Sequence, residues 1–498
     1  MNSMTKCALC LLGGLFLLSC GHANHASVNA TNVTASDSQT VDSDRAAFNK
    51  GYELFEGQRY GAASPYFYNY LSTHSPDDVD YEWGEFFFGI CLKRCGFSHA
   101  AVDVLSHLVT RKPNPQIVSY CLEILEDITR TVPFDEDLVI LRAICDHEYA
   151  FVEKDMADFI NYHQGVFDWQ HGFFEWGNKH FSAITPDTYY FYKYQYQKAL
   201  YHVYQDRVDD AIAILREILK TKCEAEDIRD EAYRTLARLF YEKGQLEEAR
   251  IMYQQIKKSI LDQAENLLER AWAHYRLGHA EKAMGLLYAF EAPRFKDCFA
   301  PEYYILKSFI YKDVCHYQSA LAVVHEFKRH YSESLDNIYR RGKAATDHDL
   351  LLVLLGKRRI NKLWQFLRLL EKEKEACKAI LDAPLSEYLT KMYDLEIAKI
   401  GESVRTEIEK EYENMANDLL TYEEQAHLLE YEIGLDMSQR VHDYHYGDDT
   451  GEQMEAEAKP RVVLYPFQGE FWNDELVNYE VTLPDKCHSM EEWDIFFK

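Results

Sequence analysis

Beyond Cys20 the chain contains no run of about 18 apolar residues, so no later segment reads as a membrane-spanning helix. Positive charge is scarce as well: 54 Lys and Arg stand against 82 Asp and Glu, a net charge of −28. A field of that sign repels phosphate backbones and anionic headgroups. It argues against nucleic acid as a partner and against membrane binding through the body of the protein. Catalytic signatures are missing too. No glycine-rich phosphate loop follows a strand-like run, and there is no nucleophile elbow, HExxH pair or paired-cysteine zinc pattern. The expectation is a protein that is not an enzyme, with no cofactor and no metal. His442 and His445 with Asp448 and Asp449 are the nearest approach to a ligand set, and they read as part of a solvated linker.

What is present begins at the N-terminus. Lys6 precedes the apolar stretch Cys7–Leu18, which has the length of a signal-peptide core and is too short to span a bilayer. It ends in Leu17-Leu18-Ser19-Cys20. Residues 21–44 then contain no Leu, Ile, Met, Phe, Tyr or Trp, so they have nothing to bury and are expected to stay unfolded. The tetrad at 17–20 resembles the lipobox of bacterial lipoproteins, although Leu18 stands where a small residue is usual. The resemblance implies cleavage before Cys20 and acylation of its thiol. A plain secretory signal or an uncleaved anchor are the alternatives. Of the 12 cysteines, Cys7 and Cys10 would leave with the signal and Cys20 would carry lipid. The rest are scattered and odd in number, so at least one thiol is free or pairs between chains. Cys91 and Cys95 share a helix face but read as small buried hydrophobes.

Internal repetition is the main signal. Small residues recur in pairs twelve apart: Gly51 with Ala63, Gly89 with Ala101, Ala199 with Ala211, Ala237 with Ala249, Ala271 with Ala283, and Ser308 with Ala320. Gly165 and Gly177 form a degenerate pair. Between the marks stand turn residues such as Gly96 and Gly244, and Pro113 follows one unit. The segments Phe86–Pro113 and Ala232–Ile256 resemble the tetratricopeptide repeat, a helix–turn–helix of about 34 residues. That resemblance implies an all-α solenoid of helical hairpins, six or seven repeats over 45–345, with divergent helices near 114–155. The first helix of each repeat would line a groove. Transferring that pattern places Phe48, Tyr52 and Phe86 on the early repeats. It makes Tyr196, Arg234, Arg238, Tyr241, Trp272, Tyr275, Arg276 and Phe309 the candidate partner-binding groove. Arginines and aromatics are the usual anchors of protein interfaces. Three guanidinium groups in an acidic protein suggest a partner tail with acidic and apolar residues. The chain's own Gly469–Glu480 has the same character and is a rival occupant.

Residues 346–440 read as C-terminal helices. From Pro384 to Arg440 apolar or small residues recur in steps of three and four, from Leu389 through Tyr393 and Ile400 to Leu429 and Ile433, with a break near Glu411 and Tyr412. This predicts one long helix, either folded across the repeats, with or without a break near Gly401, or projecting as an arm or coiled coil. Residues 441–460 form an acidic linker. The tail 461–498 is aromatic and strand-like and is expected to dock on the body. Its "YPFQGEFWNDEL", with the plan of signal, repeats, long helix and tail, resembles tetratricopeptide lipoproteins of predatory and gliding bacteria. That likeness implies an envelope scaffold, an outer-membrane lipoprotein facing the periplasm that binds other envelope proteins. A periplasmic peptide- or glycan-binding module and a tether to the cell wall are the alternatives.

Overall fold

The computed structural model describes residues 37–111, 114–136, 138–144, 149, 152, 154–221, 225–256, 263–295, 298–446 and 480–487. Cys20 and nearly all of the aromatic tail lie outside the described residues. Each twelve-residue pair of small side chains marks one helical hairpin. The hairpins are α1 (Asp37–Glu56) with α2 (Tyr60–Thr73), and α3 (Tyr81–Arg94) with α4 (Ser98–Thr110). After α5 (Pro115–Thr131) come α6 (Lys154–Gln170) with α7 (Phe174–Ala183), and α8 (Tyr189–Tyr204) with α9 (Val208–Lys220). Then follow α10 (Glu226–Glu242) with α11 (Leu246–Gln255), α12 (Gln263–Arg276) with α13 (Ala280–Tyr288), and α14 (Pro301–Asp313) with α15 (Tyr317–His330). Helices α16 (Ser332–Tyr339), α17 (His348–Gly356), α18 (Arg358–Ile380) and α19 (Ala383–Tyr446) complete an all-α solenoid of tetratricopeptide type.

Packing at the marks explains the spacing. Ala101, Ala211, Ala249, Ala283 and Ala320 have no exposed surface, and the Ser308 hydroxyl donates to the Ala320 carbonyl at 3.0 Å. A Cβ added at Gly89 would sit 2.5 Å from Leu105, and one at Gly165 would sit 2.6 Å from Phe181. Helices this close admit nothing larger. Seven residues after each first mark the backbone turns left-handed, at Gly96 (φ 87°) and Gly244 (φ 75°) but also at Gln58, Asp206 and Cys315 (φ 60°). The following N–H then reaches back five residues, as Phe97 does to the Leu92 carbonyl at 2.9 Å. That is a Schellman closure, and it ends the first helix of each hairpin.

The chain divides into two compact units. One comprises Met1–Arg229 and Lys362–Glu402, the other Asp230–Asn361 and Ser403–Lys498. In the first, the Glu373 carboxylate on α18 accepts from the N–H groups of Ser98 and His99 at 2.9 and 3.2 Å, capping α4, and from the Tyr393 hydroxyl at 2.7 Å. Helix α19 enters this unit through the buried Leu389 and Tyr393, and Lys399 pairs with Asp135. In the second unit Met415, Leu419, Ala426, Leu429 and Ile433 of α19 are buried against α14–α17.

Two expectations change, and one is decided between its alternatives. Helix α19 takes the folded form of the two expected, its apolar stripe packed along its length, and it runs through Gly401 without a break. Its 64 residues span about 96 Å. At the break in the stripe Tyr412 is buried, accepting from Asn337 at 2.6 Å and donating to Asp347 at 3.2 Å. Among the described residues of 114–155, α5 is the one α-helix before α6, and Leu138–Ile144 is wound as a π-helix. There Thr110 and Gln164 donate to the Arg142 and Ile144 carbonyls, each at 2.6 Å, so neighbours satisfy carbonyls of the last turn that have no partner within the helix. Helix α1 starts at Asp37, inside the segment expected to stay unfolded.

Substituting Leu for Ala249 should overpack the α10–α11 crossing and lower unfolding stability by about 1–3 kcal/mol. Chemical denaturation followed by circular dichroism checks it, and an unchanged midpoint would contradict the register.

Candidate functional site

Seven of the eight groove candidates belong to the second unit, and Tyr196 belongs to the first. Around α10, α12 and α14 the structure brings charge and rings together, already partnered. Arg238 donates to Glu269 from Nε at 2.8 Å and from Nη2 at 2.6 Å, with Glu265 at 3.5 Å. These carboxylates hold its guanidinium above its usual pKa, against the cost of burial. Arg276 stands 4.7 Å over the Tyr241 ring, and the Tyr275 hydroxyl donates to Asp313. Arg234 is half-buried and has its own contacts. Trp272 and Tyr275 meet edge to face at 5.8 Å and pack on the core of α12–α14.

Arg238 is therefore already neutralised by Glu269 and Glu265, which takes one of the three guanidinium groups out of the expected positive patch. Spacing on one helix could not reveal this, because Glu269 meets Arg238 across 31 residues of sequence.

Helix α19 borders the same face. Phe309 and Tyr304 of α14 pack on the cluster formed by Leu419, Ala426, Leu429 and Ile433. Lys312 binds Glu432 at 2.7 Å and reaches Asp436 at 3.8 Å. Glu302 is held among Trp272, Tyr422, Glu269 and Asp418. Burial pushes its carboxyl up to about 7, with Glu269 and Asp418 adding to the rise, while the Trp272 indole and Tyr422 hydroxyl pull the other way. The chain thus covers the α14 face with its own long helix.

Of the proposed rival occupant Gly469–Glu480, only Glu480 is described, paired with Lys282 at 3.4 Å. The next residues run along the hairpin turns. Val481 and Leu483 donate to the Glu281 carbonyl and carboxylate at 3.1 and 3.3 Å, and Lys486 donates to the Val314 carbonyl at 3.1 Å. Cys487 then forms a disulfide with Cys315, with Cα atoms 5.0 Å apart. Arg440 at the end of α19 donates to the Cys487 carbonyl at 2.6 Å and stands 5.5 Å over the Tyr317 ring. This pairing joins residues 172 apart and leaves no local signature in the sequence.

In the first unit the early repeats present a second place. Phe48 and Phe86 are buried, whereas Tyr52 is 40 % exposed. Tyr52, Trp83, Phe87 and Phe48 line a depression of about 330 Å³ with Asp80 on its wall. Among the described residues no group of three or more His, Cys, Asp or Glu could hold a metal ion, and no helix is long and apolar enough to cross a membrane.

Glu302 gives a pH-dependent expectation. Its folded pKa lies above the ordinary 4.5, so the folded state holds a proton that the unfolded chain releases between about pH 4.5 and 7. Its stabilising contribution is complete below 4.5 and is lost as pH rises through 7. Glu302→Gln should therefore raise stability at pH 8 by roughly 1–3 kcal/mol and change little at pH 4.5. Thermal melts of both proteins across that range test it, and equal curves at pH 8 would contradict it.

No family model and no curated protein sequence matches the chain. Solved structures do. A tetratricopeptide repeat protein from Parabacteroides merdae is similar over 50 % of this chain and 91 % of that one, at 12 % identity and a TM-score of 0.30. A Rap protein complexed with Competence and Sporulation Factor is similar over 74 % of this chain and 99 % of that one, at 13 % identity and a TM-score of 0.26. At scores this low the assignment of the fold rests on the hairpins themselves.

Proposed function

We propose that this chain is a lipid-anchored tetratricopeptide scaffold of the bacterial cell envelope, docking other envelope proteins in a motility or envelope-assembly complex. The observation that carries the docking role is the aromatic depression of the first two hairpins. Tyr52, Trp83 and Phe87 line an open surface depression over the buried Phe48, beside a carboxylate and on the first helices of their repeats. Chemistry has little support. The buried acids Glu302 and Glu373 are engaged by neighbouring helices, and Glu373 serves as a helix cap.

Export is supported by two independent features. The N-terminal tetrad ending in Cys20 follows an apolar signal-like core. The Cys315–Cys487 disulfide suits an oxidising compartment, since such bonds are rare in the reducing cytosol. Placement at the outer membrane, facing the periplasm, follows from the absence of Asp after Cys20, by analogy with enterobacterial sorting. A cell-wall tether is less well supported, because the long helix that would serve as its arm is packed along its length.

Fractionation tests the anchor. The wild-type protein should pellet with membranes after a high-salt wash, and Cys20→Ala should move into the soluble fraction. Continued pelleting of the variant would overturn the lipid anchor. Co-purification from detergent-solubilised envelope then tests the scaffold: a stoichiometric protein partner supports it, and peptidoglycan fragments alone would favour the tether.

A further inference from the structure

Aromatic rings in this protein are repeatedly paired with the chain's own cations. Lys193 stands 5.0 Å over Tyr162 and 5.6 Å over Tyr189, and Arg130 lies 5.3 Å over Tyr189 and 5.6 Å over Tyr190. Arg276 covers Tyr241 at 4.7 Å, and Lys307 lies 5.1 Å from Tyr303. Such contacts contribute because the ring face is negative.

The depression on α1 and α3 has the rings without the cation. Tyr52 and Phe87 lie 5.2 Å apart at 59°, while Trp83 and Phe87 are stacked at 5.7 Å and 27°. Phe48, against Phe67 and Tyr70, forms the floor. Among the described residues no Lys or Arg lies over Tyr52, Trp83 or Phe87. The rim is acidic. Asp80 is on the wall, and Glu56 lies close enough to Tyr52 to hold its hydroxyl above the usual pKa. The only ion pair of Asp80 among the described residues is with Arg45, at 3.6 Å, and the Arg45 side chain is 70 % exposed. An exposed pair of that kind is weak and readily exchanged.

We infer that this depression is a recognition pocket for an arginine side chain on a protein partner, with the guanidinium stacked on Trp83 and Tyr52 and paired to Asp80. Arginine fits better than lysine, because its planar fork can stack on a ring and bond a carboxylate in the same pose. The volume is also of the right order. About 330 Å³ takes one long side chain and its backbone and is small for a folded element. The inference rests on the docking role proposed above and specifies its ligand. It does not depend on the lipid anchor, so its test is separate from fractionation.

The test is a titration of the full chain, with tryptophan indole nitrogens labelled, by Ac-Gly-Arg-Gly-NH2 and by the same peptide carrying citrulline, the neutral isostere. Trp83→Phe assigns the indole resonance. The arginine peptide should shift it saturably, and citrulline should bind at least about fivefold more weakly. Asp80→Asn should remove most of that discrimination. Tyr52→Ala should weaken arginine binding about fivefold while its melting curve stays that of the parent, Tyr52 being exposed. Equal binding of both peptides would overturn the inference in favour of a general apolar slot. Tighter binding of phosphocholine than of the arginine peptide would overturn it in favour of a lipid headgroup. No shift with any probe would mean that the depression is not a site.

Discussion

Everything in this architecture depends on how closely two helices can approach within each hairpin. Where Gly89 faces Leu105 there is no room for a methyl group, and the same restriction recurs at Gly165. Close approach brings the side chains around the crossing into dense contact, so each hairpin buries a core from only about 34 residues. It also fixes which helix faces remain. With one face committed to the crossing and the flanks to the neighbouring hairpins, the residual stripe of each first helix is what the protein has available for binding.

The two units use that stripe differently. In the second, α19 lies on the α14 face, Arg238 of α10 is matched by Glu269 and Glu265 of α12, and Arg276 lies over the Tyr241 ring. Carboxylates without a cation are costly to bury charged, and burial pushes Glu302 of this unit and Glu373 of the first up to about 7. In the first unit the rings of the depression between α1 and α3 have no Lys or Arg over them among the described residues, and its acid Asp80 is paired with the exposed Arg45.

The hairpins were legible because their constraint is local. A twelve-residue separation of small side chains spans the end of one helix, the turn and the first turn of the next, all within reach of the sequence. The degenerate Gly165–Gly177 copy is a full hairpin for the same reason, as a Cβ at Gly177 would meet the Gly165 carbonyl at 2.9 Å. The long helix was legible from its stripe, but not its continuity through Gly401, because one glycine in 64 residues cannot outweigh packing on either side. The site was read only in part. Spacing places Arg238 on the first helix of its repeat, yet the glutamates that neutralise it come from the next repeat, and no periodicity carries that information. Tyr52 was recognised as a groove residue, while Trp83 and Phe87 were overlooked beside the buried Phe86. Three consecutive aromatics at 86–88 point in different directions on a helix, and only the packing says which one stays outside.

The Cys315–Cys487 bond joins the turn of the last hairpin to the end of the described tail. Every residue between them, α15 through α19 included, therefore belongs to one covalent ring. A protease that cuts the backbone once inside this ring releases nothing, since the two ends stay linked through sulfur. The nicked molecule would run as a single chain until a reductant opens it. A single cut within 316–486 is then a latent change, expressed only where the surroundings turn reducing.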